Sequence, residues 1–366
     1  MSPKKLSDLR KEIDKLDSRI VELVNRRGRV SRSIGALKKA GKQPLYSPDR
    51  ESHVYSKVVK ESAGPIADES MKAIYAEIMS ACLALEHPTR VAYLGPKLTF
   101  TNQAALKKFG SSVDYLSCDS ISDVFREVEK GNADYGVVPI ENSTEGAVNH
   151  TLDMFVDSTL LICSEIYLPI RHSLLSKKGE KSSIKKIYSK SEVFGQCRRW
   201  IEKNYPKARL CECASTAKAA DMVASRKDSA CIASELAAKK YELKIIARSI
   251  EDSVTNMTRF LIIGKQMSNI SGSDKTSIMF SVKDRPGVLH DMLSSFKTKN
   301  INLTKIESRP SKMRAWKYYF FVDLEGHCQS PKVRKALTDL EKKCHFVKIL
   351  GSYPRGDKGF KKKTSK

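Results

Sequence analysis

Leu6, Leu9, Ile13, Leu16, Ile20 and Leu23 recur at spacings of three and four. The stripe resumes at Val30, Ile34 and Leu37 before Gly41 and Pro44 stop it. That period predicts one unbroken helix of about 34 residues, about 50 Å long. Such a helix is too long to bury its stripe within a small unit, so it calls for a bundle with a partner. A shorter helix is expected after Asp49. A third is expected from Asp68 to Glu86, with Met71, Ile74, Ile78, Cys82 and Leu85 inward, ended by His87-Pro88. Residues 1–88 therefore read as an all-α helical domain.

Two cations interrupt the stripe. Arg27 stands four residues after Leu23, where an apolar residue is due. Lys38 lies at an azimuth about 20° from Arg27 and about 16 Å further along. Buried charges need partners. Salt bridges to Asp49, Glu51 or Glu86 would satisfy them, and so would an anionic ligand. Arg10 is about 25 Å from Arg27, too far for one straight helix to bring both to one small molecule. An antiparallel copy from a second chain could do so. A homodimer or higher homo-oligomer, with sites between chains, is the expectation.

Leu9-Arg10, Ile13, Leu16-Asp17, Arg26-Arg27, Gly35-x-x-Lys38 and Pro44-x-x-x-x-Arg50-Glu51 resemble the all-helical chorismate mutases. The resemblance implies that Arg10 of the partner and Arg27 hold the carboxylates of chorismate. It implies that Lys38 serves the ether oxygen together with Glu86, and that Arg50 and Glu51 shape the ring-hydroxyl side. Ser47 and Cys82 stand where other members have an aspartate and a serine. A Claisen rearrangement needs no metal or nucleophile. Fixed cations aimed at the ether oxygen, where negative charge grows, are sufficient chemistry.

Residues 90–266 alternate strands with helices. Arg90–Gly95, Tyr135–Ile140 and Ser229–Ala233 read as strands, which argues for α/β with mostly parallel sheets in two lobes. Val138-Pro-Ile-Glu-Asn-Ser-Thr-Glu-Gly146 follows a strand with a dense polar run, as ligand loops of α/β proteins do. Asn256-Met-Thr-Arg-Phe260 precedes an apolar strand. If that segment is extended, Thr258 and Arg259 face opposite sides. With Tyr188-Ser189, Phe194-Gly-Gln196, Thr99-Phe100 and Ser215-Thr-Ala-Lys-Ala-Ala220, these segments resemble prephenate dehydratase. The resemblance implies a periplasmic-binding-protein-like fold with its site in the cleft. It also implies that Thr258 is the catalytic position and that Asn142, Ser143, Thr144, Ser189, Gln196, Arg259 and Thr99 bind substrate. Arg259 or a neighbouring cation is expected on the pyruvyl carboxylate, and Phe194 or Phe100 near the ring carboxylate. Lys97-Leu98 replaces a common Glu-Gly, which questions the backbone of that loop.

A polar linker, 267–274, leads to a strand–helix–strand–strand–helix–strand order over 275–351, the α+β ferredoxin-like pattern. Asp284-Arg-Pro-Gly-Val-Leu-His290 and Glu307-Ser-Arg-Pro310 resemble the phenylalanine-binding motifs of ACT domains. The implied effector residues are Gly287, Val288, Leu289, His290, Glu307, Ser308, Arg309 and Pro310. Residues 352–366 read as a basic, disordered tail.

The whole chain resembles the bifunctional chorismate mutase–prephenate dehydratases, with chorismate and prephenate as substrates and L-phenylalanine as feedback effector. No cofactor or metal is implied. A phenylalanine-responsive binding protein that has lost one or both activities is the alternative. The net charge of +24 comes with no helix-turn-helix, zinc-finger or RNP signature, so no nucleic-acid partner is expected. No apolar run reaches the ~20 residues needed to span a bilayer, and the N-terminus lacks a secretory h-region. Nine scattered cysteines without a CxxC pair fit a reduced, cytoplasmic protein without structural zinc.

Overall fold

Small residues decide how the first helices meet. The computed structural model describes residues 5–41, 44, 46–253, 255–282, 285–310 and 318–357. Helices α1 (Leu6–Ala40), α2 (Pro48–Glu61) and α3 (Asp68–Glu86) open the chain. The buried residues of α1 are Gly28, Ser31 and Gly35. A Cβ on Gly35 would stand 2.8 Å from Glu86 Cα, so α1 and α3 cross in backbone contact. The apolar stripe of α1 lies elsewhere. Leu9 is 42% exposed, and Ile13, Leu16, Ile20 and Leu23 are more exposed still. Ile74 and Leu85 of α3 are exposed too, so the expectation that they point inward fails within one chain.

The first lobe of the α/β region contains β1 (Arg90–Leu94), α4 (Phe100–Phe109), β2 (Asp114–Cys118), α5 (Ile121–Lys130), β3 (Tyr135–Asn142), β4 (Gly146–Ala147), α6 (Asn149–Asp157) and β5 (Leu161–Pro169). It is completed by the later strand β11 (Met257–Gly264). The sheet order is β2-β1-β3-β11-β5, with β4 beside β3. β1 is parallel to β2 and β3, whereas β11 runs antiparallel to both β3 and β5. The sheet is thus mixed rather than mostly parallel. The chain leaves this lobe at the end of β5 and re-enters at the start of β11, so these neighbours must run in opposite directions.

The second lobe holds β6 (Ser173–Ser176), β7 (Lys186–Ser189), α7 (Ser191–Gln196), α8 (Arg198–Asn204), β8 (Arg209–Glu212), α9 (Thr216–Ala224), β9 (Ser229–Ala233), α10 (Glu235–Lys240) and β10 (Lys244–Ala247), in the order β10-β6-β9-β7-β8. Two segments join the lobes, 170–172 and 248–256. They bond to each other through Ile170 N to Asn256 O (2.9 Å) and Ile250 N to His172 O (3.0 Å).

The last unit has the expected βαββαβ order. It comprises β12 (Asp274–Ser281), α11 (Val288–Lys297), β13 (Leu303–Pro310), β14 (Tyr318–Glu325), α12 (Pro331–Glu341) and β15 (Phe346–Pro354), an antiparallel sheet ordered β13-β14-β12-β15. Met292, Phe296, Ala336 and Leu340 of its helices pack on one face, over Ile278, Phe280 and Val322. The other face joins the first lobe: Met279, Phe321, Leu350 and Tyr353 share one core with Phe155, Ile162 and Leu261. At Gly351 a Cβ would lie 2.2 Å from Ile162 O, so only glycine lets β15 sit this close.

Two boundaries move. β15 runs to Pro354 with Ser352 and Tyr353 fully buried, so a tail cannot begin at residue 352. Residues 358–366 lie outside the described set. The expected linker is also held in place. Asp274 belongs to β12 and accepts the amides of Ser271 and Gly272, and a His327 ring nitrogen lies 3.0 Å from Ser268 O.

Candidate active sites

On α1, Arg27 is half-buried. Its Nη1 donates to Cys82 Sγ at 2.7 Å, and no carboxylate pairs with it among the described residues. Lys38 Nζ lies 2.9 Å from Glu86 Oε2. Of the two cations, one therefore takes the intramolecular partner that the spacing allowed, and the other does not. Arg10 is exposed at the far end of α1, and Arg50 is exposed at the start of α2. Glu51 departs from expectation. Its buried carboxylate takes Tyr46 Oη at 2.5 Å and Lys108 Nζ, from α4 of the next domain, at 2.7 Å. It therefore faces the α/β region rather than Arg27 and Lys38. Burial, and then Glu51, hold the Tyr46 hydroxyl well above its ordinary pKa.

Around Thr258 the side chains form a directed network. The Asn142 Oδ1 accepts Thr144 N (2.9 Å), Thr144 Oγ1 (2.6 Å) and Glu145 N (3.1 Å). Those three donors fix the Asn142 amide, so its Nδ2 donates to Thr258 Oγ1 at 2.8 Å and to Asn256 Oδ1 at 3.0 Å. Asn256 Nδ2 donates in turn to Gln196 Oε1 at 3.0 Å, and Gln196 Nε2 reaches Glu145 Oε1 at 3.4 Å. The Thr258 oxygen thus accepts, while its own hydrogen has no acceptor among the described residues. A hydroxyl so arranged can donate to a leaving oxygen, and polarisation by Asn142 strengthens that donation.

The structure brings Thr258, Asn142, Thr144 and Gln196 together as expected, but it commits other hydroxyls elsewhere. Ser189 is fully buried and donates to Ile232 O at 2.8 Å, inside the second lobe. Thr99 caps α4, and its hydroxyl lies 3.0 Å from Pro96 O and 3.2 Å from Leu94 O. Ser143 ties its loop to β11 through Thr255 O and Met257 N. These three hold the loops rather than offer hydrogens to a ligand. Leu98 keeps the left-handed backbone (φ 71°) that a glycine would adopt freely, steadied by its N–H on Asn102 Oδ1 at 3.0 Å. Of the two aromatics, Phe100 lies edge-on to His172 beside Gln196, while Phe194 packs into the core of the second lobe.

Arg259 is the main correction. The alternation of β11 turns it away from Thr258, into the seam with the last domain. Its Nε donates to Glu165 (2.7 Å), its Nη1 to Asp323 (2.5 Å) and its Nη2 to Tyr353 Oη (2.9 Å). Lys275 Nζ pairs with the same Glu165 at 2.8 Å. Two cations and two carboxylates are buried together and balance. Burial alone would raise the Glu165 and Asp323 carboxyls, but Arg259 and Lys275 hold both below the usual range. Buried in this way, Arg259 is not available to a substrate carboxylate in the cleft.

In the last domain Gly287 has φ +75° at the start of α11, with open space where a Cβ would go. Val288 is half-buried, Leu289 and His290 are exposed, and Asp284 lies outside the described residues. On β13, Ser308 and Pro310 are exposed and Glu307 is half-buried without a partner among the described residues. Arg309 leaves its own domain, binding Asp153 of α6 at 3.2 Å. Lys305 likewise reaches Glu141 at 3.2 Å. Sequence reasoning missed Asn256 and His172 as members of the site. Asn256 was legible, because it shares a strand face with Thr258 two residues on. Among the described residues no cluster of His, Cys, Asp and Glu could hold a metal, and no helix is long and apolar enough to cross a membrane.

Three family models match in order: chorismate mutase type II over residues 9–87, prephenate dehydratase over 91–268 and the ACT domain over 276–342. A bifunctional chorismate mutase/prephenate dehydratase of Aquifex aeolicus is 49% identical over 354 residues, covering 96% of this chain and 98% of that one. Its counterpart in Stutzerimonas stutzeri is 45% identical over 356 residues, with the same coverage of 96% and 98%. The prephenate dehydratase of Arthrobacter aurescens, solved in complex with L-Phe, superposes with a TM-score of 0.69 at 32% identity. It covers 74% of this chain and 91% of its own.

Proposed function

The chain belongs to the bifunctional chorismate mutase/prephenate dehydratases, and from that membership we propose how its residues divide the work. It converts chorismate to prephenate, then removes carbon dioxide and hydroxide from prephenate to give phenylpyruvate, under feedback inhibition by phenylalanine. Near-full-length similarity to two bifunctional relatives, with three domain matches in one order, carries this reading. We divide the chain into a mutase domain to residue 88, a dehydratase domain over 90–266 and an ACT domain from Asp274 to Pro354.

In the mutase, the uncovered stripe of α1 is the seat of an antiparallel second copy, which carries Arg10 to the site of Arg27. The two arginines hold the carboxylates of chorismate. Lys38, paired with Glu86 at 2.9 Å, serves the ether oxygen. Charge growing on that oxygen is then stabilised more in the transition state than in the ground state. In the dehydratase, Thr258 donates to the departing hydroxyl while Asn142 holds it in place. Gln196 and Thr144 orient the substrate from the two sides of the cleft. With Arg259 turned away, no arginine from this strand clamps the ring carboxylate. This favours the step, since a clamped carboxylate would be stabilised before becoming neutral carbon dioxide. Gly287 with Glu307 and its neighbours receives phenylalanine.

The purified chain, given chorismate, should consume it and release phenylpyruvate, with phenylalanine slowing the second step. A folded chain that binds phenylalanine but turns over neither substrate would leave only the regulatory reading. Arg27→Ala should lower the mutase kcat/KM by about 10³-fold. Its dehydratase constants should stay within about twofold, because the two sites share no ligand. Both activities falling together in a folded variant would refute separate sites.

A further inference from the structure

His172 lies in the first of the two segments that join the dehydratase lobes, and it is 1% exposed. Its Nε2 is 2.8 Å from Gln196 Oε1. Its backbone N–H donates to Glu251 Oε2 at 2.9 Å, and the Glu251 carboxylate is also paired with Arg171. Its Nδ1 is buried and has no hydrogen-bond partner among the described residues. A histidine that merely filled space would leave neither nitrogen assigned a task. Here one nitrogen is engaged on a site residue and the other is bare.

The direction of that bond follows from the network. Three donors on Asn142 Oδ1 fix the Asn142 amide, which fixes Asn256, whose Nδ2 donates to Gln196 Oε1. The Gln196 atom facing His172 is therefore the acceptor oxygen, and His172 must be the donor. A neutral imidazole with its hydrogen on Nε2 meets that demand. A second proton on Nδ1 would be a buried charge without an acceptor, and burial accordingly lowers the His172 pKa from its ordinary value despite Gln196 and Glu251.

We propose that His172 is a positioning residue of the dehydratase: as the neutral Nε2–H tautomer it locks the Gln196 amide, so that Gln196 Nε2, with one hydrogen toward Glu145, presents the other to prephenate across the cleft. The proposal rests on the dehydratase reading of the Thr258 network. Gln196 comes from the second lobe, and Asn142 and Thr258 come from the first. His172 and Asn256 sit in the two joining segments and grip the same oxygen from both. Without the His172 donor the Gln196 oxygen keeps one bond instead of two, and only the long 3.4 Å contact to Glu145 holds the nitrogen, so the amide can turn its oxygen toward the substrate carboxylates, which would repel it.

The test uses the full-length chain, with the mutase as internal control. His172→Leu should lower the dehydratase kcat/KM by about 30- to 100-fold, the scale of one lost positioned donor. The mutase kcat/KM should stay within about twofold. His172→Gln can place an amide N–H where Nε2 was, and it should recover the dehydratase to within about tenfold of the parent. Nitrogen-15 spectra of the parent near neutral pH should show His172 protonated on Nε2 and bare on Nδ1. Equal loss in both variants, a His172→Leu enzyme as active as the parent, or a proton found on Nδ1 would each overturn the proposal. The spectrum decides even if the leucine variant fails to fold. Thr258→Val measured alongside separates the two readings: if it stays active, the dehydratase site itself is misassigned, whatever His172 does.

Discussion

Thr258→Val should lower the dehydratase kcat by about 10³-fold, the scale of a lost oriented hydrogen bond to the charge that develops on the leaving oxygen. Valine keeps the shape of threonine and the β-branch that suits β11, so the strand should persist. What disappears is the hydroxyl whose oxygen is held by Asn142 Nδ2 at 2.8 Å and whose hydrogen has no acceptor among the described residues. The Asn142 amide keeps its second bond, to Asn256, so the rest of the network survives. The loss should therefore fall on kcat more than on KM. Steady-state and single-turnover rates with prephenate measure it, and the chorismate reaction of the same sample reports the fold. A variant within about tenfold of the parent would remove Thr258 from the chemistry.

Arg259→Leu should destabilise the chain by about 3–5 kcal/mol, because removing one member of a buried ion cluster leaves the others uncompensated. Glu165 would then keep Lys275, while Asp323 would lose its ion pair with Arg259. The result expected is a lower denaturation midpoint and weakened feedback by phenylalanine, with a modest change in prephenate KM. An anchor for a substrate carboxylate would behave in the opposite way: KM would rise steeply and stability would hold. The pH dependence has a definite sign. Both carboxyls titrate below their ordinary values in the folded chain, so their contribution is complete above the carboxylate range, about pH 4–5, and is lost as pH falls through the folded values. The variant should accordingly lose less stability on acidification than the parent.

Periodicity and motifs made the fold legible wherever the information is local. The stripe of α1, the βαββαβ order and the polar loop after β3 all follow from spacing within a few dozen residues. The alternation of β11 even separated Thr258 from Arg259. What lies behind Arg259 was not legible, since Glu165 and Asp323 are 94 and 64 residues away and carry no local mark. The same holds for Glu51, whose partner Lys108 belongs to another domain. Ser189 and Thr99 matched their motifs, yet their hydroxyls serve backbone carbonyls, a use that a residue type cannot reveal. His172 gave no signal because a single histidine in an apolar segment reads as core. The sheet directions escaped as well, because they depend on where the chain re-enters the first lobe.

The seam at Gly351 bears on how this enzyme could be freed from feedback. Three domains in a row on a sequence invite removal of the last one. Yet Met279, Phe321, Leu350 and Tyr353 are part of the same core as Phe155, Ile162 and Leu261. Cutting after residue 266 would lay that apolar face open to water and strip Glu165 of Lys275, so the shortened enzyme would be prone to aggregation rather than merely unregulated. A deregulated catalyst for making phenylpyruvate is better sought by single substitutions at the residues proposed to receive phenylalanine, with the third domain kept as a structural wall of the second.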